Sequence, residues 1–139
     1  MYDTILVPTD GSDPANRAVE HGLELAERFG SSLHTMYVVD TSRYGEPALS
    51  SAEIVLHELE EDGNRLVTEV ADRADNLAID VETRVCHGRP HQEIIEYADE
   101  INADLIIMGY QGHSHEMKGH MGSVADRVTQ SAGRPVLTA

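Results

Sequence analysis

Apolar residues fall along the chain in two alternating rhythms. Short continuous runs predict buried strands, and longer stretches with apolar residues three and four apart predict helices. Thr4-Ile5-Leu6-Val7 is the first run, and it ends in the polar turn Pro8-Thr9-Asp10-Gly11-Ser12. Asp13-Pro14 suits a helix N-cap followed by proline at the first helical position. Ala15, Ala18, Val19, Gly22, Leu23 and Ala26 then mark one face, which Phe29 extends and Gly30 stops. Leu33 to Val39 is a second strand, mixed at first and apolar by Val38-Val39. Asp40 to Ser50, with Gly45 and Pro47, reads as a loop. Val55, Leu59, Leu66, Val70, Ala74 and Leu77 recur at the spacing of a long amphipathic helix, weakened in its middle by Gly63. Its outer face, with Glu58, Glu60, Glu61, Asp62, Glu69 and Asp72, is a solvated face. Val81 to Cys86 alternates as a partly exposed strand does, and His87 to Pro90 is a turn. Ile94, Ile95, Ala98 and Ile101 form a short helix face. Leu105 to Met108 is the fourth strand. Val124, Ala125, Val128 and Ala132 mark the last helix, Gly133-Arg134-Pro135 breaks it, and Val136-Leu137 is a final short strand.

The predicted order is β-α-β-α-β-α-β-α-β. Apolar strands alternating with helices imply a parallel sheet covered on both faces. Right-handed crossovers then give a three-layer α/β/α sandwich with a five-stranded, doubly wound sheet, built as a single domain over residues 1–139. Ligands of such sheets bind at the carboxyl ends of the strands, where the winding reverses. If the first and fourth strands are neighbours there, the turn Pro8 to Ser12 faces the stretch Gly109 to Ser123, and the two polar, glycine-bearing turns share one cleft.

That second stretch carries the candidate chemistry. Met108 to Ser123 reads MGYQGHSHEMKGHMGS, between a strand and a helix. Gly109 and Gly112 permit close backbone approach. Gly122 and Ser123 open a helix, where unpaired N–H groups and the helix dipole favour an anion such as phosphate. Any one of these glycines alone reads as turn punctuation; the set, at this spacing, reads as a phosphate-binding loop.

Charge narrows the partners. The chain has 25 acidic and 10 basic residues, a formal net charge of −15. Such a surface repels nucleic-acid backbones and anionic membranes. Lys118 is the only lysine. Abundant carboxylates with almost no lysine resemble proteins of extreme halophiles, where molar salt shortens the Debye length to about 3 Å and screens self-repulsion. No signal peptide or membrane-length apolar run is legible, so the expectation is a soluble cytoplasmic protein. Cys86 is alone and reads as a buried structural thiol.

The spacing Gly109-x2-Gly112-x9-Gly122-Ser123 resembles the ATP-binding motif of universal stress proteins. Ile5 to Ser12 resembles the first strand and turn of that family. Gly88-Arg89-Pro90 with Ile94 and Ile95, and Ala103 to Gly109, resemble its third crossover. Gly122 to Val128 and Arg134 to Leu137 resemble its ending, so the likeness covers the whole chain. It implies an adenine nucleotide alpha-hydrolase-like sheet that binds ATP, or AMP or ADP; a divalent ion such as magnesium bridging the phosphates is a more plausible metal than a protein-only site. It also implies a homodimer formed through the C-terminal strand, acting as a stress-response sensor or regulator. Carried over by position, Asp10 binds the ribose, Pro8 and Thr9 flank the adenosine, and Val38 meets the adenine through its backbone. Met108 and Gly109 line the nucleoside, and Gln111, Gly112, Gly122, Ser123, Val124 and Ala125 hold the phosphates. One departure is the polar segment His113 to Met121, with an extra Gly119 where the family carries a leucine-bearing stretch. Lys118 within it is read as reaching a phosphate or pointing to solvent.

No catalytic set is legible, so the expectation is a binding protein and not an enzyme. His113, His115 and His120 read as a hydrated loop in preference to a metal site. Two other readings stand beside nucleotide binding. A ligand-free dimerisation module is kept alive by the altered segment. An ATP-dependent enzyme of a related fold is disfavoured, because Thr9-Asp10-Gly11-Ser12-Asp13 lacks the Ser-Gly-Gly pattern of ATP pyrophosphatases. No His-x-Gly-His nucleotidyl-transfer motif follows the first strand either.

Overall fold

Five parallel strands in the order β3-β2-β1-β4-β5 form one sheet in the computed structural model, which describes residues 1–44, 50–112 and 120–139. The strands are β1 (Thr4–Pro8), β2 (Ser32–Asp40), β3 (Val81–Gly88), β4 (Leu105–Met108) and β5 (Val136–Thr138). The helices are α1 (Asp13–Phe29), α2 (Thr41–Tyr44), α3 (Ser50–Asn76), α4 (Pro90–Glu100) and α5 (Ser123–Ser131). The chain winds outward through β2 and β3, then returns to lay β4 on the other side of β1. The winding therefore reverses between β1 and β4, as the alternating order predicts.

Alternate residues of the central strands serve opposite cores. Ile5, Val7, Leu33 and Ile107 pack with α1 and α3 residues such as Val19, Leu23, Val70 and Ala74. Leu6, Met36, Ile106 and Met108 pack with Ile94, Tyr97, Ala98, Ala125 and Val128 from α4 and α5. Ile5, Leu6, Val7, Ile106 and Ile107 are completely inaccessible. Two buried faces per strand explain why β1 and β4 read as continuous apolar runs. Polar residues pin the ends. Asp104 Oδ2 accepts the N–H groups of Asp3 and Thr4, each at 2.9 Å. Arg134 Nη1 donates to the carbonyls of Ala98 (2.7 Å) and Ala103 (2.8 Å), and Nη2 pairs with Asp99 at 2.6 Å.

Five local expectations are corrected. Ser12, not Asp13, is the N-cap of α1: its Oγ accepts the Ala15 N–H at 3.3 Å, and Pro14 falls in the first turn. Part of the expected loop from Asp40 is the short helix α2, begun by Asp40 Oδ1 accepting the Ser42 N–H at 3.0 Å. Gly45 and Pro47 lie outside the described residues. Strand β3 continues through His87 and Gly88, because it keeps its register with Val39 and Asp40. Phe29, Val55 and Leu77 are exposed, whereas Val67, absent from the apolar series, is buried. Gly63 does more than weaken α3, since Tyr37 lies directly against it and a Cβ there would collide with the ring.

One partly buried polar pair joins β2 to α4. His34 Nδ1 lies 3.0 Å from the Tyr97 hydroxyl and 3.7 Å from Glu82, while Arg84 sits over the Tyr97 ring and pairs with Glu100. Burial lowers the His34 pKa, with Glu82 opposing it. The unfolded chain then binds a proton that the folded chain resists, so stability falls as pH drops below 6.5 toward the folded value. Melting temperature is expected to fall between pH 7 and 5.5, with part of that slope absent from His34→Gln. Superimposable pH profiles for the two proteins would remove His34 as its source.

Candidate functional site

The turn after β1 is built from its own side chains. Thr9 is buried, its N–H donates to the Met36 carbonyl at 2.9 Å, and its Oγ1 accepts the Gly11 N–H at 3.2 Å. Asp10 Oδ1 accepts the Ser12 N–H at 2.9 Å. Gly11 has φ 80°, a left-handed value that glycine adopts without a Cβ clash. The turn thus ends in a capped helix start, with its polar groups gathered at the top of β1.

The glycine stretch meets this turn from β4. A Cβ on Gly109 would lie 2.7 Å from Ala15 N and 2.8 Å from Pro14 C, so the absence of a side chain lets the end of β4 touch the start of α1. A Cβ on Gly112 would lie 2.5 Å from Asp10 Oδ2. The two turns therefore converge, as the adjacency of β1 and β4 requires. Gly122 is the N-cap of α5 in extended conformation, and its N–H donates to the Tyr110 carbonyl at 2.8 Å. Unlike α1, α5 has no side-chain cap among the described residues. Its first N–H groups, from Ser123, Val124 and Ala125, belong to residues of the cleft.

The resulting cavity has a volume of about 530 Å³, within the range of small-molecule sites. Pro8, Thr9 and Asp10 line it from β1, Val38 from β2, and Met108, Gly109, Gln111 and Gly112 from β4 and the loop. Gly122, Ser123, Val124 and Ala125 close it from α5. All twelve residues singled out in the sequence thus border one cavity. Reading by motif missed Ala15, Met36, Tyr37, Asp40, Leu59, Pro90, Ile94, Met121 and Asp126. The rule that doubly wound sheets bind ligands at strand C-termini would have reached Asp40, the last residue of β2, and Pro90, just past β3. Leu59, from the middle of α3, had no local signal.

Among the described residues the cavity is lined by three carboxylates, Asp10, Asp40 and Asp126, and by no lysine, arginine or histidine. His113, His115, Lys118 and Gly119 lie outside the described residues, as does most of the polar segment that contains them; His120 is exposed. No group of three metal-ligating side chains occurs among the described residues. Cys86 is half-buried, less enclosed than expected. Burial, with help from Glu93, pushes its thiol up to about 11, so it stays neutral and a poor nucleophile. No described helix is long and apolar enough to cross a membrane.

Known proteins share this architecture. The chain matches the universal stress protein family over residues 1–139. Universal stress protein MJ0531 of Methanocaldococcus jannaschii is 37% identical, over 99% of this chain and 81% of its own. The structure of MJ0577 from the same organism superposes with a TM-score of 0.89 at 25% identity, covering 100% of this chain and 96% of that one. A universal stress protein in complex with cAMP superposes with a TM-score of 0.70 at 27% identity, covering 99% of this chain and 96% of that one. Whole-chain likeness in sequence and in fold, with the glycine spacing at the point where the winding reverses, makes this chain a member of the universal stress protein family.

Proposed function

We propose that the chain binds an adenine nucleotide, ATP or a lower phosphate of it, in the cleft between β1 and β4. The observation that carries the reading is the cavity's polarity. Asp10 stands at the top of β1 for sugar hydroxyls, and an uncapped helix start stands at the α5 end for phosphates. Val38 and Met108 supply apolar wall between them. The relative in complex with cAMP supports an adenine ligand. Three carboxylates without a described lining cation favour a divalent ion, such as magnesium, riding on the phosphates.

The same reading makes the protein a soluble cytoplasmic sensor or regulator and not an enzyme. A homodimer through β5 is supported by its position at the sheet edge and by the exposure of Leu137. The acidic surface with one lysine suits a halophile's cytoplasm. The test is calorimetric titration in molar salt with ATP and AMP, each with and without magnesium. Saturable binding is expected, with magnesium strengthening ATP more than AMP.

A ligand-free dimerisation module remains the second reading, and one observation favours it. Gly109 and Gly112 are needed for the chain to approach Ala15 and Asp10, with or without a ligand. Their presence alone is therefore no proof of nucleotide binding. No binding of any nucleotide in the titrations would make this reading the better one.

A further inference from the structure

The sequence places Gln111 among the phosphate-holding residues, but its carboxamide is engaged elsewhere. Gln111 Nε2 donates to the main-chain carbonyl of His120, across the base of the loop. Beside it the Gly122 N–H donates to the Tyr110 carbonyl at 2.8 Å, and the Tyr110 N–H donates to the Ala139 carbonyl at 2.7 Å. The two arms are close enough that a Cβ on Gly122 would lie 3.2 Å from the Gln111 Cα. Residues 110–112 and 120–122 thus run side by side, joined by the Gly122–Tyr110 main-chain bond and the Gln111–His120 side-chain bond. The exit arm leads directly into α5, whose first residues, Ser123, Val124 and Ala125, line the cleft.

We propose that Gln111 is a positioning residue: its side-chain amide ties the two arms of the loop together and so fixes the start of α5 against the cleft. The proposal rests on the nucleotide reading for its binding consequence and on the geometry alone for the tie. A carboxamide nitrogen has two N–H donors, and one of them goes to a main-chain carbonyl of the opposite arm. That bond gains free energy only while the arms stay together, so it favours the side-by-side arrangement of residues 110–112 and 120–122. A direct phosphate ligand would favour the nucleotide with more phosphates. A tie that sets the helix start favours every ligand with a phosphate there and ignores one with none.

The test uses Gln111→Met, which keeps length and apolar bulk and removes the donor. ATP and AMP are expected to weaken by the same factor, about three- to tenfold for one lost hydrogen bond, with adenosine unchanged. Lys118 is the only lysine and falls in sequence between the two arms, so a lysine-specific protease reports on the loop alone. Cleavage after Lys118 in the ligand-free variant is expected to accelerate by a comparable factor. Loss of ATP affinity with AMP unchanged would make Gln111 a phosphate ligand and overturn the proposal; so would cleavage and affinities equal to the parent's. If the parent itself binds no nucleotide, the nucleotide reading fails, and the cleavage rate by itself decides whether the tie exists.

Discussion

Gly109→Ala is expected to destabilise the protein by about 2–4 kcal/mol, on the order of a 10 °C fall in melting temperature, and to abolish nucleotide binding in the same step. The added methyl would sit 2.7 Å from Ala15 N, 2.8 Å from Pro14 C and 3.0 Å from Pro14 Cβ. Two of these are main-chain atoms of the first turn of α1, which cannot rotate away as a side-chain tip can. Ala15 N is also the donor to Ser12 Oγ, the cap of α1. Relief of the clash must therefore move α1 away from β4 or pull Ala15 off its cap, and a lost cap costs about 1 kcal/mol. Either movement widens the contact between the two turns that bound the cleft. Thermal melts and nucleotide titrations on the same sample check both halves. A melt within 2 °C of the parent would show that β4 and α1 approach less closely than the geometry implies.

The same glycine shows how far the sequence could be read. The layered α/β fold was legible, because apolar runs for strands and three-four spacing for helices arise from local geometry. The twelve residues that line the cavity were carried over as a group by the family resemblance, and all but Val38 lie on a strand end, a glycine run or a helix start, which are features of contiguous sequence. What each glycine is for was not. Gly109 meets residues more than ninety positions away, and Gly112 meets Asp10, so their constraint comes from strand order and not from neighbours in sequence. The far wall of the cleft was hidden for the same reason: Leu59 and Ile94 come from helices laid over the sheet. Arg134 looked like part of a helix-breaking turn, yet it holds carbonyls at the end of α4 and the approach to β4. Asp13 was misread as the cap of α1 because serine and aspartate are near-equal caps, and only the side-chain geometry of Ser12 separates them.

Gly122→Val is expected to weaken ATP about 10- to 100-fold while lowering the melting temperature by only a few degrees. The simplest reason, a side chain placed where a phosphate must come, is joined by a second one. A Cβ at Gly122 meets Gln111 Cα at 3.2 Å, Tyr110 O at 3.4 Å and Gly112 N at 3.6 Å, all on the opposite arm of the loop. Its φ of −66° and ψ of 155° are open to any residue, so the effect is one of space and not of backbone conformation. Alanine needs a shift of a few tenths of an ångström and is expected to weaken ATP a few-fold. Valine adds two γ-methyls that wedge the arms apart, break the bond from Gly122 N–H to Tyr110 and move the start of α5. The sheet lies outside this contact, which is why stability changes less than for Gly109→Ala. Titration of parent, alanine and valine variants should give a graded loss. A valine variant that binds ATP as the parent does would mean that phosphates are not held at the start of α5, and the cleft would need a different ligand.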